Sequence, residues 1–172
     1  MKTVREEVVR SQHRILDTIE ECEILVAMMY EKFAAAMPVL SGFWSELAAD
    51  ERRHAKVLKA LHTILDRGHL FHGIGRFDQA KITEVRHFLA RVDRRVAKGR
   101  LTRLDAAASA LRVECMLVDG RFYSTVTTDA PEFLAVCKML QKEEERHLAR
   151  LNEAFHDDLL VKGPDFWARF GE

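Results

Sequence analysis

The sequence predicts an all-α fold, an antiparallel four-helix bundle with a long crossover that contains a short extra helix. Three observations carry this. Breakers are sparse, with 3 prolines and 8 glycines in 172 residues, so they can only punctuate long segments. Between them, apolar residues recur in alternating steps of three and four, the spacing of bundle packing. Capping side chains and prolines stand where that periodicity starts and stops.

The first helix is predicted over about residues 4–36. Its stripe runs Val9, Gln12, Leu16, Ile19, Glu23, Val26, Tyr30, Phe33 and Met37, and Pro38 ends it. The second starts within 39–45 and continues to about 66, with Leu47, Leu58, Leu61 and Leu65 inward and Glu51 and His54 at the two stripe positions between them. Residues 67–78 read as a Gly- and His-containing loop. A shorter helix over about 80–98 places Ile82, Val85, Leu89, Val92 and Val96 on one face, with Gly99 as its stop. Thr102 is the predicted N-cap of a helix reaching about 127, whose inner face carries Leu104, Ala107, Leu111, Glu114, Val118 and Phe122. Thr128-Asp129-Ala130-Pro131 is a helix start. The last helix covers about 131–160, with the stripe Phe133, Cys137, Leu140, Glu144, His147, Leu151 and Ala154. The connection at Pro38 makes the first pair antiparallel, the turn before Pro131 does the same for the second, and 67–101 joins the two hairpins.

One domain is expected over 1–160, followed by a tail, 161–172, in which Phe166, Trp167 and Phe170 follow Gly163-Pro164. Those aromatics are expected to dock on the bundle or on a partner chain, a homodimer being the simplest form. With 48% apolar and 31% charged residues, the composition is that of a soluble globular protein. A formal net charge of zero gives no broad field for nucleic acid or an anionic membrane. The start of the chain has no apolar signal core, and no uncharged run is long enough to span a bilayer. Cys22, Cys115 and Cys137, odd in number and far apart, argue against a disulfide framework. A reducing cytoplasm is the expected location.

The chemistry lies in the polar residues on apolar stripes. The chain contains four Glu-x-x-His pairs: Glu51/His54, Glu84/His87, Glu144/His147 and Glu153/His156. The second and fourth fall off the apolar faces and are expected in solvent. The first and third replace two consecutive core positions, where an unpaired carboxylate is costly. The halves repeat this: Glu23 precedes Glu51/His54 and Glu114 precedes Glu144/His147, at intervals of 28 and 30 residues, about one helical hairpin each. Positions i and i+3 share a helix face, so a Glu and a His so placed can touch one metal. Four carboxylates and two imidazoles neutralise two divalent cations, and an oxygen-rich set with imidazole suits iron or manganese, zinc being able to bind without redox work.

On these residues the chain resembles the ferritin-like superfamily of di-iron carboxylate proteins, over about 9–160. Glu23-Ile24-Leu25-Val26-Ala27-Met28-Met29-Tyr30 resembles the Glu-x6-Tyr element of the first helix in ferritins and rubrerythrins. The stretch from Phe43 through Glu51-Arg52-Arg53-His54-Ala55 resembles their second helix, and Glu143-Glu144-Glu145-Arg146-His147 their last metal helix. The resemblance implies two iron ions, with manganese or zinc as substitutes. It implies that Glu51 and Glu144 bridge them, with Glu23 and His54 terminal on one ion and Glu114 and His147 on the other. Tyr30 would be the nearby phenol with a catalytic part. Leu111 and Leu117 stand where rubrerythrins place a further carboxylate, so the six-ligand set is closer to that of bacterioferritins and di-iron oxygenases. No Cys-x-x-Cys pair is present, so electrons must come from an external donor.

The expected function is a rubrerythrin-like oxidoreductase that reduces hydrogen peroxide or dioxygen, or oxidises ferrous iron. The alternatives are a di-iron oxygenase acting on an organic substrate and a non-enzymatic iron-binding or sensing module. Glu114, whose helix has no His, could instead be a buried Glu paired with Arg121. His62, His69 and His72 around the loop read as surface histidines. Without metal, the inward carboxylates should repel and take up protons, so exchanging Glu23 and Glu114 for Gln is expected to stabilise the metal-free chain.

Overall fold

The computed structural model describes residues 4–69, 71–72, 79–120, 123, 127–128 and 130–160. The chain is all-α in its architecture. Helix α1 (Val4–Ala36) leads through a 3-10 turn, Pro38–Leu40, into α2 (Ser41–Asp66). Then follow α3 (Gln79–Ala97), α4 (Arg103–Gly120) and α5 (Pro131–Leu160). The tight turn at Pro38 lays α2 back along α1. Helix α4 packs along α5, α2 meets α5, and α3 lies against both α1 and α4. Arg86 pairs with Glu21 and Lys32 with Asp93 between α3 and α1, and Arg95 pairs with Asp105 at 2.9 Å between α3 and α4.

Local signals explain the boundaries. Thr102 caps α4 by accepting the Asp105 N–H on its hydroxyl at 3.1 Å, while Asp105 accepts the Thr102 N–H at 3.2 Å. This is a reciprocal capping box. Gly99 stops α3 with a positive φ of 62°, a conformation that penalises any residue with a Cβ. The described part of α4 runs to Gly120 and Tyr123 lies in a turn, so the helix stops short of residue 127, where its periodicity would carry it; Phe122 lies outside the described residues. Thr127–Thr128 instead form a two-residue antiparallel ladder with Phe71–His72, in register Phe71 to Thr128 and His72 to Thr127. That ladder ties the segment after α2 to the one before α5. Helix α4 is also buried on more than one face, with Asp105 through Leu111, Val113, Glu114 and Leu117 all buried. Its small side chains, Ala106, Ala107, Ala108 and Ala110, let neighbours approach closely. On α5 the inner face ends at Phe155 and Leu159, and Ala154 is exposed.

The core has two apolar clusters. One gathers around Trp44, which stacks on Tyr30 and on Phe155 with ring centroids 5.8 and 5.5 Å apart, together with Phe33, Val26, Leu47 and Leu151. The other contains Leu16, Ile19, Leu58, Leu61, Phe133 and Leu140. On two helices the polar residues fall between these clusters in sequence, Glu51 and His54 on α2 and Glu144 and His147 on α5, and on α1 Glu23 stands beside Cys22, where the stripe passes from one cluster to the other. The apolar stripes thus fix the depth at which the polar layer lies. Glu84, His87, Glu153 and His156 are exposed. The tail, 161–172, with its expected docking, and Arg121 lie outside the described residues. No helix among the described residues is long and apolar enough to cross a membrane.

Candidate metal centre

The polar layer is closed to solvent. Glu114 and His54 are 0% exposed, Glu23 and Glu51 1%, His147 2% and Glu144 4%. Ligand atoms of Glu23, Glu51 and His54 lie within 4.8 Å of one another, and so do those of Glu51, Glu114 and His147. The two groups share Glu51, one oxygen to each side: Oε2 is 2.9 Å from His54 Nδ1 and Oε1 is 2.8 Å from His147 Nδ1. The remaining carboxylates complete a matched pair, with Glu23 3.6 Å from His54 Nδ1 and Glu114 3.7 Å from His147 Nδ1. The imidazoles stack with centroids 5.5 Å apart. Glu144 is buried in the same layer but outside both groups.

Both imidazoles turn Nδ1 inward and Nε2 outward. Each outer nitrogen meets a carboxylate from the opposite helix: His54 Nε2 lies 2.6 Å from Glu143 Oε2, and His147 Nε2 3.3 Å from Asp50 Oδ2. Arginines hold these two carboxylates in turn. Arg53 and Arg146 reach Glu143, and Arg53 and Arg150 reach Asp50. An outer nitrogen bonded to a carboxylate carries the proton, which leaves the inner lone pair for a cation.

The terminal carboxylates are shaped by phenols. Tyr30, on α1, donates to Glu114 Oε1 of α4 at 2.5 Å, and Tyr123, just beyond α4, donates to Glu23 Oε1 of α1 at 2.5 Å. Each phenol occupies one oxygen and leaves the other bare. Glu23 Oε2, Glu114 Oε2 and Glu144 Oε1 are buried without a hydrogen-bond partner, while Glu51 Oε1 and His147 Nδ1 face each other at 2.8 Å. Buried polar atoms in folded proteins are almost always satisfied, and three bare carboxylate oxygens beside two inward imidazole nitrogens fit a divalent cation.

Electrostatics of the metal-free layer divide its members. Burial pulls both imidazoliums down, but hydrogen bonding from Glu23 and Glu51 outweighs it and raises His54 to about 11. For His147, Glu114 and Glu51 outweigh burial in the same way and raise it to about 10. Protonated histidines therefore supply positive charge among these carboxylates. Burial and the charges of Glu23 and Glu114 push Glu51 up to about 7. Burial and the charges of Glu23, Glu114 and Glu51 hold Glu144 well above the usual range. Glu23 goes the other way: burial opposes ionisation, but hydrogen bonds with His54 and Glu51, the His54 charge and the Tyr123 phenol lower it. The layer thus favours the ionised form of Glu23. The strain of crowding falls on Glu51 and Glu144.

Three contributors escaped the sequence reading. Asp50 and Glu143 had a signal, since each immediately precedes a core Glu and makes the repeat acid-Glu-x-x-His in both α2 and α5. Tyr123 had a weaker one: it follows Glu114 by nine positions, somewhat as Tyr30 follows Glu23 by seven, but it sits in a turn where helical periodicity says nothing. Glu114 accepts from the Tyr30 phenol, while its alternative partner, Arg121, lies outside the described residues. Buried Glu and His groups able to hold a metal ion are therefore present. Comparison with protein-family models, with curated proteins and with solved structures gave no match, so a functional reading rests on this chain's own residues.

Proposed function

We propose that the chain is a ferritin-like four-helix bundle, with α1, α2, α4 and α5 as its four helices and α3 in the crossover, and that it holds two iron ions. The observation that carries this is Glu51, whose two oxygens face different imidazoles in two buried groups. Glu23, Glu51 and His54 would hold one ion and Glu51, Glu114 and His147 the other, with Glu144 joining them as a second shared carboxylate. Four carboxylates cancel the charge of two divalent ions without a counter-ion from solvent. Bound iron supplies one-electron redox chemistry, which suits reduction of hydrogen peroxide or dioxygen or oxidation of ferrous iron.

The chain's own residues prepare for this. The histidines must release protons from Nδ1 before they can bind, and Glu51 and Glu144 must release theirs, so loading is opposed by acid. Tyr30 and Tyr123 hold Glu114 and Glu23 each by a single oxygen, directing the bare oxygen to the ion. Glu143 and Asp50 fix the imidazole orientation and make the inner nitrogens more basic. The apolar clusters on both sides exclude water, which strengthens every electrostatic contact within.

The test is to load the purified chain with ferrous iron without oxygen and then add hydrogen peroxide with an external reductant. Repeated peroxide consumption that Glu51→Ala abolishes is the expected result. A single stoichiometric oxidation without turnover would reduce the function to iron binding, and no iron uptake would remove the reading altogether.

A further inference from the structure

Beyond the buried centre, a second cluster lies on the outside of the α1–α2 pair. Asp17 and Glu20 of α1 and His62 of α2 bring three ligand atoms within 4.8 Å of one another. Asp17 Oδ1 is 3.3 Å from His62 Nε2. The other nitrogen of that ring is engaged too: His62 Nδ1 lies 2.5 Å from His13 Nδ1, with the rings stacked at 4.8 Å and 15°. His13 in turn places Nε2 3.3 Å from Asp66 Oδ1. The result is a chain of contacts, from Asp17 and Glu20 through His62 and His13 to Asp66.

Proton counting gives this arrangement its meaning. Nδ1 to Nδ1 at this distance requires one proton between the rings. His13 Nε2 needs one to donate to Asp66. That leaves His62 Nε2 facing a carboxylate, where either a third proton makes one ring cationic or a metal ion takes the lone pair. When His13 donates to Asp66, its Nδ1 becomes the acceptor, so His62 carries its proton on Nδ1. That tautomer exposes the Nε2 lone pair to Asp17 and Glu20. A metal-bound histidine characteristically donates its other N–H to a fixed acceptor, and His13 is that acceptor here.

We propose that Asp17, Glu20 and His62 form a separate divalent transition-metal site with solvent completing its coordination, and that His13 and Asp66 are positioning residues behind His62. Two carboxylates and one imidazole suit zinc, ferrous iron, manganese or cobalt. The side chain of His62 is 20% exposed and that of Asp17 64%, so ions reach the site directly from solvent. Glu20 lies one helical turn from Glu23, which sets the outer site beside the buried layer without sharing a residue with it.

Equilibrium dialysis of the full-length chain against cobalt(II) tests the site, with bound cobalt counted per chain. His62→Ala, and separately Asp17→Asn with Glu20→Gln, should each lower the count by one. His13→Ala should leave the count unchanged but weaken one site about 10- to 100-fold, a split between affinity and stoichiometry that a merely structural role would not give. His87→Ala is the exposed control and should change neither. The reading survives failure of the buried centre: wild type would then bind one cobalt and His62→Ala none. If His62→Ala and the Asp17/Glu20 variant both keep the wild-type count, the site does not exist.

Discussion

The two halves of the molecule carry the same chemistry and use it differently. Helix α2 offers Asp50, Glu51 and His54, and α5 offers Glu143, Glu144 and His147 at the same spacing. The flanking groups exchange evenly, since each half supplies a phenol to the other half's terminal carboxylate and a carboxylate to the other half's imidazole. The core glutamates do not. Glu51 lies between both imidazoles with one oxygen to each, whereas Glu144 stands outside both groups with Oε1 unpartnered. A repeated motif therefore yields one carboxylate held between both imidazoles and one buried beside them with an oxygen unpartnered.

The largest effect expected from this asymmetry is on binding. Glu51→Ala should eliminate both buried ions, while Glu144→Ala should weaken them and leave two, as read by calorimetric titration with zinc. Equal losses for the two variants would erase the distinction.

The second effect is on the metal-free chain. His54 and His147 are raised to about 11 and 10 and Glu51 to about 7, so the folded chain binds more protons than the unfolded one. For Glu51 the stabilisation is complete below about pH 4.5 and is lost as pH rises through about 7; for the histidines it is complete below about pH 6.5 and lost through about pH 10 to 11. Glu23 acts in the opposite sense, its stabilisation being lost as pH falls. Glu144, also held above the usual range, adds to the fall with pH, and Glu23 titrates below this window, so thermal melts of the metal-free chain should fall steadily from about pH 5 to 9. Zinc should raise the melting temperature and flatten that slope, because bound metal replaces the protons. A metal-free chain that melts highest at the alkaline end would refute the assignment.

A smaller effect separates the carboxylates within this layer. Glu144→Gln should stabilise the metal-free chain by about 1 kcal/mol, or ~3 °C at this chain length, because burial beside Glu23, Glu114 and Glu51 makes Glu144 take up a proton on folding at neutral pH, a cost the neutral amide does not carry. Glu23→Gln should destabilise it by about 1 to 3 kcal/mol, since Glu23 as an anion accepts from Tyr123 and faces the His54 imidazolium at 3.6 Å. Denaturant melts at neutral pH decide the sign of each.

The smallest contrast is between the outer carboxylates. Glu143→Gln should weaken the binding of zinc about 10- to 100-fold, and Asp50→Asn should act in the same direction by less, because its contact with His147 is 3.3 Å against 2.6 Å for Glu143 with His54. Equal effects would mean that the arginines around them, rather than the imidazoles, set their importance.

Much of this was legible in the sequence because helix periodicity reports which side chain points inward. It separated Glu51/His54 and Glu144/His147 from the exposed pairs Glu84/His87 and Glu153/His156, and it located Glu23 and Glu114. Periodicity fails where the backbone leaves the helix. It carried α4 past Gly120, missed the pairing of Phe71–His72 with Thr127–Thr128, and gave no sign of Tyr123 on Glu23. It also says nothing about what lies across a helix interface. Asp50 and Glu143 were visible as neighbours of core glutamates, but their role depends on reaching a histidine of the opposite helix. The asymmetry between Glu51 and Glu144 is likewise a matter of packing, since their local sequences are nearly the same.

The central claim is that two buried ions share Glu51. It is tested most directly by counting zinc bound per chain in His62→Ala, which removes the outer site, with and without Glu51→Ala. The account predicts two zinc ions in the first and none in the second. Loss of only one ion on removing Glu51, or retention of both, would contradict it.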